Sequence, residues 1–264
     1  MKTNVEREIE TKPKRPGVVR LLAVGFLFWM VLVAVWKLAQ IFTPGVLHLT
    51  VLQQERITNL GRLEQYRDAN KLLPPDPDRV VFFGDSITYG WDLDASFHDS
   101  HFINRGINGQ TTSDMLVRFR QDAIDLRPKA VVILAGVNDF GENNAGGDID
   151  KRHKIANVQS NISTMAELAE AHRIRPVFLS LLPINDYTEH GKLISHLVSA
   201  DLVAEQNEWL QTFCETHGYL FVDLYSNMVD QRGKLRVELS DDGLHPNKEG
   251  YKIMAAVFAR SFHE

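Results

Sequence analysis

The stretch that decides the fold covers residues 79–91 and reads RVVFFGDSITYGW. It opens with a short apolar run of strand length, passes through Gly84 and Asp85, and continues into a segment of helical character. A continuous apolar run predicts a strand buried on both faces, as in a parallel sheet covered by helices. Ligands of such sheets bind beyond the carboxyl ends of the strands, so Ser86 is predicted to lie in a binding crevice at a helix amino terminus.

Similar apolar runs recur along the chain and alternate with segments of helical pattern. The predicted strands are 79–84, 101–106, 130–136, 175–183 and 219–225, and the predicted helices are 111–126, 151–173, 200–217 and 248–262. This alternation predicts a three-layer α/β/α domain with about five parallel strands. The proline-rich run PPDPD at 74–78 interrupts the chain just before the first strand, so the domain is assigned to residues 76–264.

The amino-terminal segment has a different character. Residues 1–20 carry six basic and three acidic side chains, and residues 21–36 (LLAVGFLFWMVLVAVW) carry no polar side chain. With its flanks, the segment 21–42 is long enough for a transmembrane signal anchor, and the basic excess places residues 1–20 in the cytoplasm. A cleaved signal peptide and a buried core helix are the alternatives. Residues 43–75 are predicted to form a stalk or linker that includes a helix.

Composition and charge exclude several classes of function. The net charge of -5 argues against a nucleic-acid-binding surface, which requires clustered Lys and Arg. The single cysteine, Cys214, excludes an internal disulfide and a multi-cysteine metal site. The ten histidines show no HExxH or other metal-ligand spacing, so metal catalysis is the weaker enzymatic alternative.

Four motifs place chemically useful residues at predicted strand ends or just before the last helix. They are Ser86 in GDSIT, Gly106 in NRGINGQTT, Asn138 in LAGVND, and the pair Asp242 and His245 in DGLHP. Each motif alone also fits a structural role, such as a helix cap, a glycine turn or a helix entrance. Together they offer a nucleophile, hydrogen-bond donors for an oxyanion, a base and an orienting carboxylate, as acyl transfer requires.

In this order and spacing the motifs resemble the sequence blocks of the SGNH/GDSL hydrolase superfamily, over about residues 79–260. The resemblance implies a flavodoxin-like α/β/α fold and hydrolysis of carboxylic esters without a metal or cofactor. It also implies that Ser86 is the nucleophile, with His245 and Asp242 completing a catalytic triad. The oxyanion donors it implies are the backbone N–H groups of Ser86 and Gly106 and the side chain of Asn138.

The substrate is less constrained, because it depends on the walls of the pocket. The segments 141–152 and 184–200 are the predicted walls, and the polar character of the first favours a short acyl group on a hydroxylated alcohol. An acylated glycan and a lysophospholipid are both candidate substrates. An acyltransferase with the same triad and a non-catalytic glycan-binding domain are the alternatives, and the sequence does not predict an oligomeric state.

The charge distribution around residues 21–42 generates a topological prediction. The basic residues before this segment should hold the amino terminus inside the cell and leave the catalytic domain on the outer side of the membrane. Protease added to intact spheroplasts should therefore digest the domain. Full protection in intact spheroplasts, with digestion only after lysis, would show the opposite orientation.

Overall fold

The computed structural model describes Trp29, Met30, Leu32 and Lys37 together with residues 60–99, 101–141 and 147–262. The chain divides into two compact units, Met1–Thr58 and Asn59–Glu264. The predicted membrane anchor at 21–42 lies outside the described residues, except for the four named residues, which are helical. Within the described part of the chain, no helix combines the length and the apolar character needed to cross a membrane.

A five-stranded parallel sheet forms the centre of the second unit. Its strands are β1 (Val80–Gly84), β2 (Phe102–Gly106), β3 (Ala130–Leu134), β4 (Arg175–Leu179) and β5 (Leu220–Val222). They are arranged in the order β2-β1-β3-β4-β5, and each neighbouring pair is parallel. The prediction of an α/β domain with about five parallel strands is confirmed. Since β2 and β3 lie on opposite sides of β1, the strand order reverses there, and a crevice opens beyond the carboxyl ends of β1 and β3.

Helices connect and cover the strands. They are α1 (Glu64–Leu72), α2 (Ser86–Tyr89), α3 (Leu93–Phe97), α4 (Thr112–Asp122), α5 (Gly147–Ala171), α6 (Glu189–Leu197), α7 (Ala200–His217), α8 (Tyr225–Met228) and α9 (Lys248–Phe262). Short 3₁₀ turns lie at Leu60–Arg62, Ile124–Leu126, Asn138–Phe140 and Val237–Leu239.

The aromatic side chains of β1 define the layers, because successive side chains of a strand point to opposite faces. Phe82 packs against Phe258 of α9, with ring centroids 5.0 Å apart, and against Phe97 of α3 at 5.9 Å. Phe83 packs against Phe119 of α4 at 5.2 Å. Helices α3 and α9 therefore cover one face of the sheet, and α4 covers the other. Because α5 packs beside α4 and α7 packs beside α5, the second face carries all three helices.

Residues 60–73, which lie within the predicted stalk at 43–75, pack against the sheet domain. The Tyr66 hydroxyl donates a hydrogen bond of 2.5 Å to the carbonyl oxygen of Gly106. The Asn70 side chain accepts a hydrogen bond from Arg105 Nε at 2.8 Å and donates one to Asp122 at 2.8 Å. The second compact unit accordingly begins at Asn59 and not after the proline-rich run. The contacts of Tyr66 and Asn70 stabilise the domain because they provide hydrogen-bond partners for the buried Gly106 carbonyl and the buried Arg105 side chain.

The close approach of β2 to α2 leads to a stability prediction. A Cβ atom on Gly106 would lie 2.1 Å from the backbone nitrogen of Tyr89, whereas a Cβ on Gly109 would meet nothing within 4 Å. Gly106→Ala should therefore lower the thermal unfolding temperature strongly or prevent folding. Gly109→Ala is the matched control, and its backbone φ of +73° limits its cost to about 1–2 kcal/mol. Equal losses of stability in the two variants would contradict this packing.

Candidate active site

Ser86 lies directly after β1, as the first residue of α2, and faces the crevice. Asp85 caps this helix, because its Oδ1 accepts a hydrogen bond of 2.9 Å from the backbone N–H of Ile87. A side chain at Gly84 would collide with the Thr88 hydroxyl at 2.0 Å, so the tight exit from the strand requires glycine at that position. The backbone N–H of Ser86 has no hydrogen-bond partner within the described part of the chain.

A chain of hydrogen bonds connects Ser86 to His245 and Asp242. Ser86 Oγ lies 2.9 Å from His245 Nε2, and His245 Nδ1 lies 2.7 Å from Asp242 Oδ2. An ionised carboxylate can only accept hydrogen bonds, so we assign the proton to Nδ1. Nε2 is then the acceptor that faces the Ser86 hydroxyl. The three residues that the sequence motifs single out are therefore brought together in space.

The Asp242 carboxylate is held in its ionised form. Burial acts to raise the pKa of Asp242, but the hydrogen bond from the His245 ring outweighs it, together with those from the backbone N–H groups of Leu244 and His245, and the pKa falls to about 2. Gly243 has a φ of +90°, which allows the loop to turn back between the carboxylate and the imidazole. Asp242 is thus charged throughout the neutral pH range.

The segment 184–200, one of the two predicted pocket walls, supports the loop that carries Asp242 and His245. The backbone N–H of Asn185 donates to the Gly243 carbonyl at 2.9 Å, and the Thr188 hydroxyl donates to the Asp242 carbonyl at 3.4 Å. Among the side chains of this segment that the structure describes, none lines the cavity at Ser86. Of the other predicted wall, 141–152, residues 142–146 lie outside the described residues, and residues 147–152 form the first turns of α5.

A cavity of about 580 Å³ is lined by Ser86 and His245. Of the two glycines in the NRGINGQTT motif, one lines this cavity and the other does not. Gly109 and Asn138 line this cavity together with Ser86, whereas Gly106 does not. Gly106 is buried, and its backbone N–H donates to the side chain of Asn104 at 2.8 Å. The structure therefore does not place Gly106 where the motif resemblance implied an oxyanion donor. Within the NRGINGQTT motif, Gly106 is instead the residue that packs against α2.

Gly109 takes the exposed position in the same loop. The Gln110 N–H closes a turn onto the Ile107 carbonyl, and Gly109 occupies its third position with a φ of +73°, a conformation that favours glycine. The backbone N–H of Gly109 has no hydrogen-bond partner among the residues that the structure describes. It is a donor that can serve a ligand in the cavity.

Asn138 is the first residue of the 3₁₀ turn that follows β3. One hydrogen of its side-chain amide is donated to the Gln110 carbonyl at 3.0 Å, which fixes the orientation of the amide group. Because the Nδ2 atom carries two hydrogens, the second remains available to a ligand. Ser86, Gly109 and Asn138 thus place three N–H groups along one cavity.

The Gln110 side chain connects the cavity loop to the rest of the domain. It is buried, its Nε2 donates to the Gly61 carbonyl at 3.1 Å, and its Oε1 accepts from Arg118 Nε at 2.5 Å. The same residue accepts the hydrogen bond from Asn138 through its backbone carbonyl. Residues 60–62 therefore contact the loop that carries Gly109 directly.

Arg118 is fully buried beneath this loop. It donates to the Gly84 and Arg105 carbonyls at 2.9 Å each and to Asp122 at 3.3 Å, and it stacks over the Phe83 ring at 4.0 Å. Burial lowers the pKa of the guanidinium to about 10, and the nearby Asp122 carboxylate opposes that change. Arg118 remains charged at neutral pH and joins the carboxyl ends of β1 and β2.

Sequence reasoning missed both Gly109 and Arg118. The signal for Gly109 was a second glycine in the motif NRGINGQTT, three residues after the first. Arg118 could have been noticed because it lies on the same helical face as the apolar residues Met115 and Phe119, and that face is buried. Trp91, the last residue of the stretch 79–91, is buried, and its ring centroid lies 5.5 Å from that of Phe82.

The site offers no metal ligands in the described part of the chain. Within residues 60–99, 101–141 and 147–262, no group of three or more His, Cys, Asp or Glu side chains is arranged to hold a metal ion.

Comparison with known proteins shows the family. Residues 82–253 match the GDSL-like lipase/acylhydrolase family, and the chain belongs to this family within the SGNH/GDSL superfamily. A GDSL-like lipase from Bacteroides thetaiotaomicron has the same fold, with a TM-score of 0.67 and 32% identity over 77% of this chain and 98% of that one. The resemblance inferred from the motifs is confirmed, and residues 82–253 form a domain of a family of carboxylic ester hydrolases.

Two curated relatives are more distant. An acetylxylan esterase from Xylanibacter ruminicola is 24% identical over 213 residues, which cover 70% of this chain and 43% of that protein. The uncharacterized lipoprotein YqeF of Bacillus subtilis is 31% identical over 121 residues, which cover 40% of this chain and 49% of that protein. The matched regions thus span about half or less of the length of these relatives.

Two carboxylates next to residues of the cavity, the buried Asp85 and the half-buried Asp139, have raised pKa values. Burial raises the pKa of Asp85 to about 7, and its Oδ2 has no hydrogen-bond partner within the described part of the chain. Burial also raises the pKa of Asp139 to about 6, although the Thr112 hydroxyl and backbone N–H both donate to it. Both carboxylates brace loops and do not line the cavity.

The buried carboxyl of Asp85 predicts a pH dependence of stability. Its pKa is about 7 in the native state and about 3.9 in the unfolded chain, so between these values the native state binds more protons. Ionisation of Asp85 should therefore reduce stability as pH rises through this window. Asp85→Asn should unfold at a higher temperature than wild type at pH 8, and this gain should shrink towards pH 4. Calorimetry across the range would contradict the assignment if the difference did not depend on pH.

Proposed function

We propose that this protein hydrolyses short-acyl carboxylic esters, with Ser86 as the nucleophile, His245 as the general base and Asp242 as its orienting carboxylate. The observation that carries the proposal is the unbroken hydrogen-bond chain from Ser86 Oγ through His245 to Asp242. Serine hydrolases use this arrangement to remove the hydroxyl proton as the serine attacks a carbonyl carbon.

The first half of the reaction forms an acyl-enzyme. Ser86 Oγ bonds to the ester carbonyl carbon, and its proton passes to His245 Nε2. Asp242 keeps the imidazole in the correct orientation and stabilises its positive charge. When the tetrahedral intermediate collapses, the carbon–oxygen bond to the alcohol breaks, and the leaving oxygen takes the proton from His245. Water then repeats the sequence on the acyl-enzyme and releases the carboxylic acid.

The oxyanion of the tetrahedral intermediate is assigned to three donors. They are the backbone N–H groups of Ser86 and Gly109 and the Nδ2 amide of Asn138. Gly109 replaces Gly106 in this role, because the Gly106 N–H is already bonded to Asn104 and lies away from the cavity. Two observations support this assignment. The backbone N–H groups of Ser86 and Gly109 make no hydrogen bond within the described part of the chain, and the Asn138 amide is oriented by its hydrogen bond to the Gln110 carbonyl.

The lining of the cavity supports a short acyl group. Leu244 and Pro246 are the aliphatic side chains among its lining residues, and the rest of the wall is mainly polar or aromatic. Each methylene buried in an apolar pocket contributes about 0.8 kcal/mol, so a long acyl chain would need far more apolar wall. The acetylxylan esterase relative supports an acetylated glycan as substrate.

We further propose that the domain is tethered to the membrane through residues 21–42 and works on its outer side. The apolar composition of this segment and the basic residues before it support the proposal, and one relative is described as a lipoprotein. A lysophospholipase or an acyltransferase would use the same triad, and neither is favoured by a specific contact in the cavity.

Two substitutions test the assignment. Ser86→Ala should lower kcat on p-nitrophenyl acetate by a factor on the order of 10⁶ without loss of folding.

Asn138→Ala should lower kcat by about 10²–10³ with little change in KM or unfolding temperature, because it removes a donor that acts in the transition state. Asn108→Ala, which also changes the cavity lining, is the control and should have a much smaller effect. A folded Ser86→Ala protein that kept a tenth of the wild-type turnover would refute the nucleophile.

A further inference from the structure

A second, larger depression lies beside the catalytic cavity, between helices α3 and α9. This α3–α9 groove has a volume of about 790 Å³. Its α3 side includes Asp92, Ala95 and Phe97, and its α9 side is formed by Lys248, Tyr251, Lys252, Ala255, Ala256 and Ala259. The eight residue steps from Tyr251 to Ala259 correspond to about 12 Å along the helix.

The groove adjoins the catalytic cavity, because Gly90, Pro246 and Tyr251 line both of them. Tyr251 is fixed at this border, because its hydroxyl donates to the Ile87 carbonyl at 2.8 Å and its ring stacks on Trp91 at 6.0 Å. A substrate that is larger than the catalytic cavity would extend past these three residues into the groove.

The position of the groove relative to the reacting atoms decides which part of an ester enters it. Pro246 follows His245, which must protonate the leaving alcohol oxygen, whereas Gly109 and Asn138 line the cavity and not the groove. The carbonyl oxygen of the ester faces those donors, so the alcohol extends on the side of His245. We propose that the α3–α9 groove binds the alcohol portion of the substrate and that this portion is an oligosaccharide. This inference rests on the proposed function of Ser86 and His245.

The chemistry of the groove fits a sugar chain. Its floor is formed by alanines and by the rings of Phe97 and Tyr251, which suit the apolar faces of sugar rings. Asp92 and Lys248 are exposed at its edges, and neither makes an ion pair with another described residue. Asp92 Oδ1 accepts a hydrogen bond from the Ala95 backbone N–H at 2.9 Å, and the other carboxylate oxygen and the Lys248 ammonium can bind hydroxyl groups of a sugar. The groove is also longer than a single sugar ring.

Bulky substitutions far from the reacting atoms test the proposal. Ala256 is exposed and Ala259 is half-buried, so Ala256→Leu/Ala259→Leu should fill the distal groove while keeping good helix propensity. The measured quantity is the ratio of kcat/KM for acetylated xylo-tetraose to kcat/KM for p-nitrophenyl acetate. The ratio should fall by about tenfold or more, because binding energy from remote sugar rings contributes to catalysis at the ester. Ala69→Leu, on the exposed surface of α1, is the matched control and should leave the ratio unchanged.

Two results would contradict the groove proposal, and a third would contradict the proposed function. An unchanged ratio in the double variant would overturn the proposal. If the double variant instead lowered kcat/KM for p-nitrophenyl octanoate relative to the acetate, the groove would hold the acyl chain, and the proposal would also be wrong. If Ser86→Ala kept its activity on p-nitrophenyl acetate, the proposed function itself would fail, and that outcome is separate from the groove measurement.

Discussion

The buried guanidinium of Arg118 is the interaction on which the rest of the site depends. It donates to the Gly84 carbonyl at the end of β1, to the Arg105 carbonyl near the end of β2, and to the Gln110 side chain in the following loop. Ser86 follows β1, and Gly109 precedes Gln110, so one cation fixes the positions of both donors. Its charge is compensated by Asp122, and the energetic penalty of burying it is offset by four hydrogen bonds.

The same network extends to a segment that precedes the sheet domain. Gln110 binds the Gly61 carbonyl, and Tyr66 and Asn70 bind the end of β2 through Gly106 and Arg105. Residues 60–73 are therefore part of the structure that holds the cavity loop. If the chain is tethered through residues 21–42 as proposed, the tether leads into this segment of the folded unit, which contacts the loop that carries Gly109.

The sheet could be predicted from the sequence because its apolar runs are strong local signals, whereas the grouping of Ser86, Asp242 and His245 was predicted only from the four motifs taken together. Apolar runs buried on both faces predict parallel strands, and Ser86, Asn138 and His245 follow from the strand ends or the closing loop. The choice between Gly106 and Gly109 could not be made in this way. Two glycines lie three residues apart, and only the packing of Gly106 against Tyr89 and the exposure of Gly109 distinguish them. Likewise, the proline-rich run at 74–78 looked like a boundary, but long-range hydrogen bonds cross it.

The central claim is that Ser86 is an activated nucleophile, and covalent labelling tests it most directly. A fluorophosphonate should inactivate the purified protein with one equivalent of label, and peptide mapping by mass spectrometry should place that label on Ser86. His245→Ala should label far more slowly, because the base that activates the hydroxyl is absent. Complete inactivation with the label on a different residue, or full activity with Ser86 unlabelled at saturating reagent, would contradict the account.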